Sequence, residues 1–423
     1  KSDVLQSFVE KKKKKKNNTH PTSPKEEISR KWREIHGAND WKAILNPLHP
    51  WLRREIIKYG EFSQATYDAF DFDPFSEYCG SCKYNKKKML AKLGLEKSGY
   101  TVREYIYGMS QMDLPQWMQK SKLAETWSKD SNWIGFMAVS DDVETRRIGR
   151  RDIAVAWRGT VAMSEWYDNM KSELHPIGEG EARVEHGFLS IYTSKNESTR
   201  YNQSSASEQA IGEIKKLIEF YAERGEEISL TITGHSLGGA LALLTAYDAA
   251  RNFSGIHISV FSFAAPRVGN IAFRDELYAM GVKTLRVTIN QDIVPKMPGI
   301  VFNENLQKFE DFTGALEWIY THVGAELKID VRSSPYLKKR LNLIGFHLLE
   351  TYLHLIDGFV SEDSDFREDS NRDVALVNKY ADMAADDLRI PPAWFQPENK
   401  GLVKNAHGRW VKPQRDLEDI PSP

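Results

Sequence analysis

Read for the alternation of apolar and polar positions, the chain changes character near residue 130. Between Lys31 and Asp130 apolar and aromatic side chains recur every three or four positions, as in WLRREIIKYGEFSQATYDAF, which is the spacing of one face of a helix. From Asn132 onward, short runs dense in β-branched and aromatic residues take over: NWIGFMAV, DIAVAWRG, ISLTITG, HISVFSFAAP and TLRVTIN. Helical stretches, SEQAIGEIKKLIEFYAERG and LGGALALLTAYDAAR, separate the later runs. Strands alternating with helices predict an α/β domain with a largely parallel central sheet. The expected organisation is a disordered basic segment over 1–30, a helical region over 31–130 packed on the core, the α/β core over 131–360, and a polar tail over 361–423 that wraps it.

Composition narrows the function classes. With 41% hydrophobic and 28% charged residues the chain reads as soluble and globular, and no apolar run approaches the length that crosses a bilayer. A net charge of −1 leaves no global basic field for nucleic acid. Contact with a membrane would have to be peripheral, through a local patch. The run KKKKKKNNTHPTSPK is too polar to fold alone and reads as a solvated tail, with anionic lipid as the alternative partner. The two cysteines, Cys79 and Cys82 in CGSC, are too few for a disulfide framework or a closed zinc site, so packed or surface thiols are expected. Beginning at Lys1 rather than methionine, the sequence reads as a fragment in which a targeting peptide is not visible.

The chemistry concentrates at TITGHSLGGALALL. A strand runs into G-H-S-L-G and directly into a small-residue helix, the setting of a nucleophile elbow, so Ser236 is the candidate nucleophile. A serine hydroxyl needs a base, and the base an orienting acid, which in this arrangement follow in the order Ser, Asp, His. Asp292 stands just after the strand TLRVTIN at a turn toward proline, the place expected for the acid. For the base the residues leave three possibilities. His347, beside Gly345 and Phe346 near a helix start, is favoured. His354 lies seven positions on in the same helical pattern, and His322 sits in an apolar stretch that also suits a core histidine. The oxyanion donors would be the N–H of Leu237, after the nucleophile, and that of Thr160, after the strand DIAVAWRG. A plain strand-ending turn would use the same R-G-T residues.

With AWRGT, GHSLGG, NQDIVPKMPG and FHLLETYLH in view, the chain resembles plant class I phospholipases A1 of the lipase class 3 group, from about Trp32 to Trp410. The resemblance implies an α/β-hydrolase fold of the lipase class 3 type with a helical N-terminal extension. It implies a Ser236–Asp292–His347 triad and oxyanion donors at Leu237 and Thr160, with no cofactor or metal. It also implies a lid, for which Trp166, Tyr167 and Met170 would form the apolar face. The implied activity is release of the sn-1 acyl chain from phosphatidylcholine or galactolipids in the chloroplast, in some members feeding jasmonate synthesis. A tri- or monoacylglycerol lipase with the same triad, or a non-catalytic receptor on this fold, are the alternatives.

Overall fold

The computed structural model describes residues 25–73, 76, 78–108, 131–160, 173–298, 300–303, 308–311, 320–367, 369–395, 403–411 and 415–421. Its frame is a seven-stranded sheet whose spatial order follows the chain: β1 (Tyr100–Gly108), β2 (Asn132–Ser140), β3 (Arg151–Trp157), β4 (Ile228–His235), β5 (His257–Phe263), β6 (Lys283–Ile289) and β7 (Ala325–Ile329). The pairs β1–β2 and β2–β3 are antiparallel, and β3 through β7 run parallel. The five runs read as strands in the sequence are β2 to β6. The sheet also extends into the region expected to be helical. YTVREYIYG alternates buried and open positions and forms the edge strand β1, a period-two pattern short enough to be lost among helical segments.

Burial on both faces explains why β3 to β6 read as almost unbroken apolar runs. On one face Phe136, Ala156, Phe263 and Val287 pack against Ile56, Tyr59, Phe62, Leu353 and Ile356. Helix α1 (Lys25–Ile35) adds Ile28 and Ile35 to this cluster, and the residues named come from α2 (Pro50–Asp68) and from the C-terminal part of the core. On the other face Met137, Val155, Ile232 and Val260 pack against α3 (Ala206–Ala222) and α4 (Leu237–Asn252), through Ala210, Ile214, Leu241 and Leu244. Ser205 and Glu208 form a capping box that starts α3.

A buried polar knot fastens α2 to the sheet. Asp152 of β3 accepts hydroxyls from Tyr59 and Tyr100 at 2.9 and 2.8 Å and from Ser229 and Thr231 at 2.6 and 2.7 Å. With four donors its carboxylate is satisfied without water, which is what makes a fully buried charge tolerable. The tail returns across α2: Arg372 is buried between Glu61 and Glu350, and Lys379 reaches Asp68 at 2.6 Å. Two short helices close the core, α5 (Leu343–His347) and α6 (Leu349–Gly358). No described helix is long and apolar enough to cross a membrane.

Candidate active site

The carboxyl ends of the parallel strands gather the candidate residues, as open α/β sheets generally do. Thr160 follows β3, Ser236 follows β4 and Asp292 follows β6. Ser236 sits between β4 and α4 with φ 57° and ψ −127°, a conformation that costs on the order of 1–3 kcal/mol and persists where the surroundings enforce it. They do so here. The Ser236 N–H donates to Phe263 O at 2.8 Å, and the two glycines of the motif let strand and helix touch. A Cβ on Gly234 would lie 2.1 Å from Gly238 O. Ser236 is fully buried, and its Oγ has no hydrogen-bond partner among the described residues.

His347 is the last residue of α5 and is 2% exposed. Its Nδ1 lies 2.7 Å from Asp292 Oδ2. A proton on Nδ1 donated to that carboxylate leaves Nε2 as the free lone pair of the neutral ring. That atom is buried with no hydrogen-bond partner among the described residues. Asp292 Oδ2 also accepts the Tyr352 hydroxyl at 2.7 Å, and its Oδ1 accepts the Val294 N–H at 3.0 Å. The carboxylate is therefore fixed from three sides.

The other histidines are engaged elsewhere. His354 faces Ser334 Oγ at 2.8 Å and stacks on Phe366, and burial followed by the Arg372 charge pushes its pKa down to about 4. The continuous helix expected to carry both His347 and His354 is broken at Leu348, whose backbone is extended, so the two rings belong to different helices. His322 lies near Arg286 and Arg267, and burial followed by these charges lowers its pKa to about 2. Neither ring is hydrogen-bonded to Asp292 among the described residues.

Thr160 is buried at the end of β3, and Leu237 opens α4, where the first N–H groups have no acceptor within the helix. Arg158 makes the loop rigid by donating to Trp133 O at 3.2 Å and to Gly159 O at 2.9 Å. Trp166, Tyr167 and Met170 lie outside the described residues. Cys79 and Cys82 are buried free thiols, and burial pushes their pKa values up to about 12 and about 11.

Two residues not anticipated from sequence tie these parts together. His235 Nε2 lies 2.7 Å from His347 O, so the ring donates there. Burial, then the neighbouring His347, lowers the His235 pKa well below the usual histidine range, so the ring is neutral and Nδ1 is an acceptor. Tyr67, from α2, places its hydroxyl 2.7 Å from that Nδ1 and accepts the Gly159 N–H at 3.1 Å. A Cβ on Gly159 would fall 2.2 Å from the Tyr67 hydroxyl, so only glycine permits the approach.

Residues 154–302 match the family described as Lipase (class 3). Over 406 residues the chain is 46% identical to "Phospholipase A1-Igamma1, chloroplastic" of Arabidopsis thaliana, an alignment covering 92% of this chain and 79% of that protein. It is 39% identical over 404 residues to "Phospholipase A1-II 1" of Oryza sativa subsp. japonica, covering 93% and 98% respectively. A crystal structure of a lipase from Rhizopus microsporus var. chinensis matches 69% of this chain and 78% of that one, at 20% identity and a TM-score of 0.45.

Proposed function

Since the chain belongs to the plant phospholipase A1 family and is a carboxylic ester hydrolase, we propose that Ser236, His347 and Asp292 are its nucleophile, base and orienting acid. The observation that carries this reading is the His347–Asp292 hydrogen bond of 2.7 Å, with Nε2 and the Ser236 Oγ both buried and without a hydrogen-bond partner among the described residues. The ring centroids of His347 and His235 lie 4.6 Å apart, so the base stands beside the residue that precedes the nucleophile.

Ser236 Oγ attacks the sn-1 ester carbonyl as His347 Nε2 takes its proton. Asp292 holds the imidazole in the tautomer that leaves Nε2 free and stabilises the imidazolium. The N–H groups of Leu237 and Thr160 receive the oxyanion, each contributing about 2.7–4 kcal/mol to the transition state. His347 returns the proton to the departing lysolipid oxygen, and water then hydrolyses the acyl-enzyme by the same route. The substrate is a membrane glycerolipid, phosphatidylcholine or a galactolipid, met by peripheral contact. We assign the protein to the plastid, the location named for its class I relatives.

The test is hydrolysis of phosphatidylcholine and monogalactosyldiacylglycerol bearing different sn-1 and sn-2 chains. Release of the sn-1 chain, abolished in Ser236→Ala, is the expected result. Turnover confined to tri- or monoacylglycerol would keep the triad and replace the substrate. Binding of lipid with no ester turned over would replace the enzyme reading with a receptor.

A further inference from the structure

Leu341 and Ile344 are 78% and 62% exposed, three positions apart where the chain enters α5. That helix ends at His347, so Ile344 stands about 4.5 Å along the axis from the proposed base. The exposure does not come from a loose segment. Between the two aliphatics, Asn342 caps α5 by accepting the Gly345 N–H at 2.9 Å, and its amide donates to Asp382 O at 3.2 Å. Upstream, Lys338 N–H donates to Met383 O at 2.8 Å, while the Lys338 ammonium reaches Asp382 and Asp386 at 2.6 and 2.7 Å. Arg340 also pairs with Asp382, and Phe346 is anchored in the core. The turn is clamped at both ends, with its aliphatic tips turned outward.

Residues 335–347, PYLKKRLNLIGFH, contain three cations and no acid. Two of the three cations at the turn are paired, Lys338 with Asp382 and Asp386 and Arg340 with Asp382, which leaves the Lys339 charge. Lys339 is exposed and makes no ion pair among the described residues. Two exposed aliphatic tips beside one unpaired lysine match a lipid surface, where the tips enter the acyl boundary and the ammonium sits at the level of the phosphates. A protein partner fits less well, because a stable interface buries about 800 Å² per partner, far more than two side chains supply.

We propose that Leu341 and Ile344, with the unpaired Lys339 beside them, form a rigid ridge that docks the enzyme on a lipid bilayer and brings the base to the lipid surface. The inference rests on reading the site as a lipid ester hydrolase and adds the surface by which that site meets its substrate. Since the ridge is already ordered, docking carries little of the entropic cost of folding a segment on contact.

The experiment compares the parent with Leu341→Ser/Ile344→Ser in three assays: turnover of soluble p-nitrophenyl butyrate, co-sedimentation with phosphatidylcholine–phosphatidylglycerol vesicles, and hydrolysis of the vesicle lipid. Both positions are exposed, so equal melting temperatures are expected. The variant should keep its soluble-ester turnover and lose roughly tenfold or more in vesicle binding and vesicle hydrolysis. A companion variant, Leu341→Trp/Ile344→Trp, should bind vesicles more tightly than the parent. A parent that does not bind the vesicles, or a serine variant that binds them equally, overturns the proposal. A parent that binds vesicles through the ridge but hydrolyses neither ester overturns the hydrolase reading instead, because the binding assay does not depend on catalysis.

Discussion

The His235 ring donates through Nε2 to the backbone carbonyl of His347 at 2.7 Å, so the residue before the proposed nucleophile holds the main chain of the proposed base. On its other side the same ring accepts the Tyr67 hydroxyl, which in turn accepts the Gly159 N–H beside Thr160. One neutral imidazole and one phenol thus fix the base and the oxyanion loop relative to each other. Catalysis depends on such placement to within about 1 Å, which is why the link bears on rate.

Tyr67→Phe keeps the ring and removes both hydrogen bonds. We expect kcat on a soluble ester to fall about tenfold, equivalent to about 1.4 kcal/mol, with KM little changed and the melting temperature within a few degrees of the parent. A purely structural tyrosine would instead lower the melting temperature and leave kcat per folded molecule intact. Steady-state kinetics beside thermal melts separate the two.

Tyr67 also marks the limit of what the sequence discloses. GHSLGG announces its own turn, because glycine spacing and flanking strand and helix are local signals, and Asp292 is legible from the strand and turn around it. Tyr67 is one aromatic on an amphipathic helix, and its part in the site exists only once α2 lies across the ends of β3 and β4. His347 is intermediate: its neighbourhood favours it, but the break at Leu348 that separates it from His354 comes from backbone geometry that the apolar pattern does not reveal. The two edge strands were hidden for another reason. Ala325–Ile329 has five residues with alternating exposure, and Tyr100–Gly108 is open on part of one face, so neither carries the dense apolar run that exposes β2 to β6.

Asp292→Asn should be far more damaging than loss of one hydrogen bond would imply. The amide can donate to His347 Nδ1, which favours the tautomer with the proton on Nε2 and removes the base. We expect kcat to fall about 10³–10⁴-fold, with the fold retained because the amide oxygen still accepts the Val294 N–H and the amide nitrogen can donate to the Tyr352 hydroxyl oxygen. A loss of only a few-fold would mean that His347 does not depend on this carboxylate.

Stability should decline with acid through buried neutral histidines. The His354 pKa is held at about 4 by burial and then by Arg372, with Asp357 acting in the opposite direction. As pH falls below about 6.5, the unfolded chain takes up a proton at this ring that the folded chain refuses. The stability is therefore present above pH 6.5 and is lost progressively down to about pH 4, by on the order of 3 kcal/mol. His354→Gln retains a side-chain partner for Ser334 but does not titrate. Its urea midpoint should fall less between pH 7 and pH 5 than that of the parent, and parallel curves would remove His354 from the account.

The most direct test of the proposed triad is labelling with a fluorophosphonate, followed by peptide mapping, in the parent, Ser236→Ala and His347→Ala. The account predicts a single modified residue, Ser236, with no label in Ser236→Ala and labelling slowed by orders of magnitude in His347→Ala. Label on another residue, or Ser236 labelled at the parental rate without His347, would contradict it.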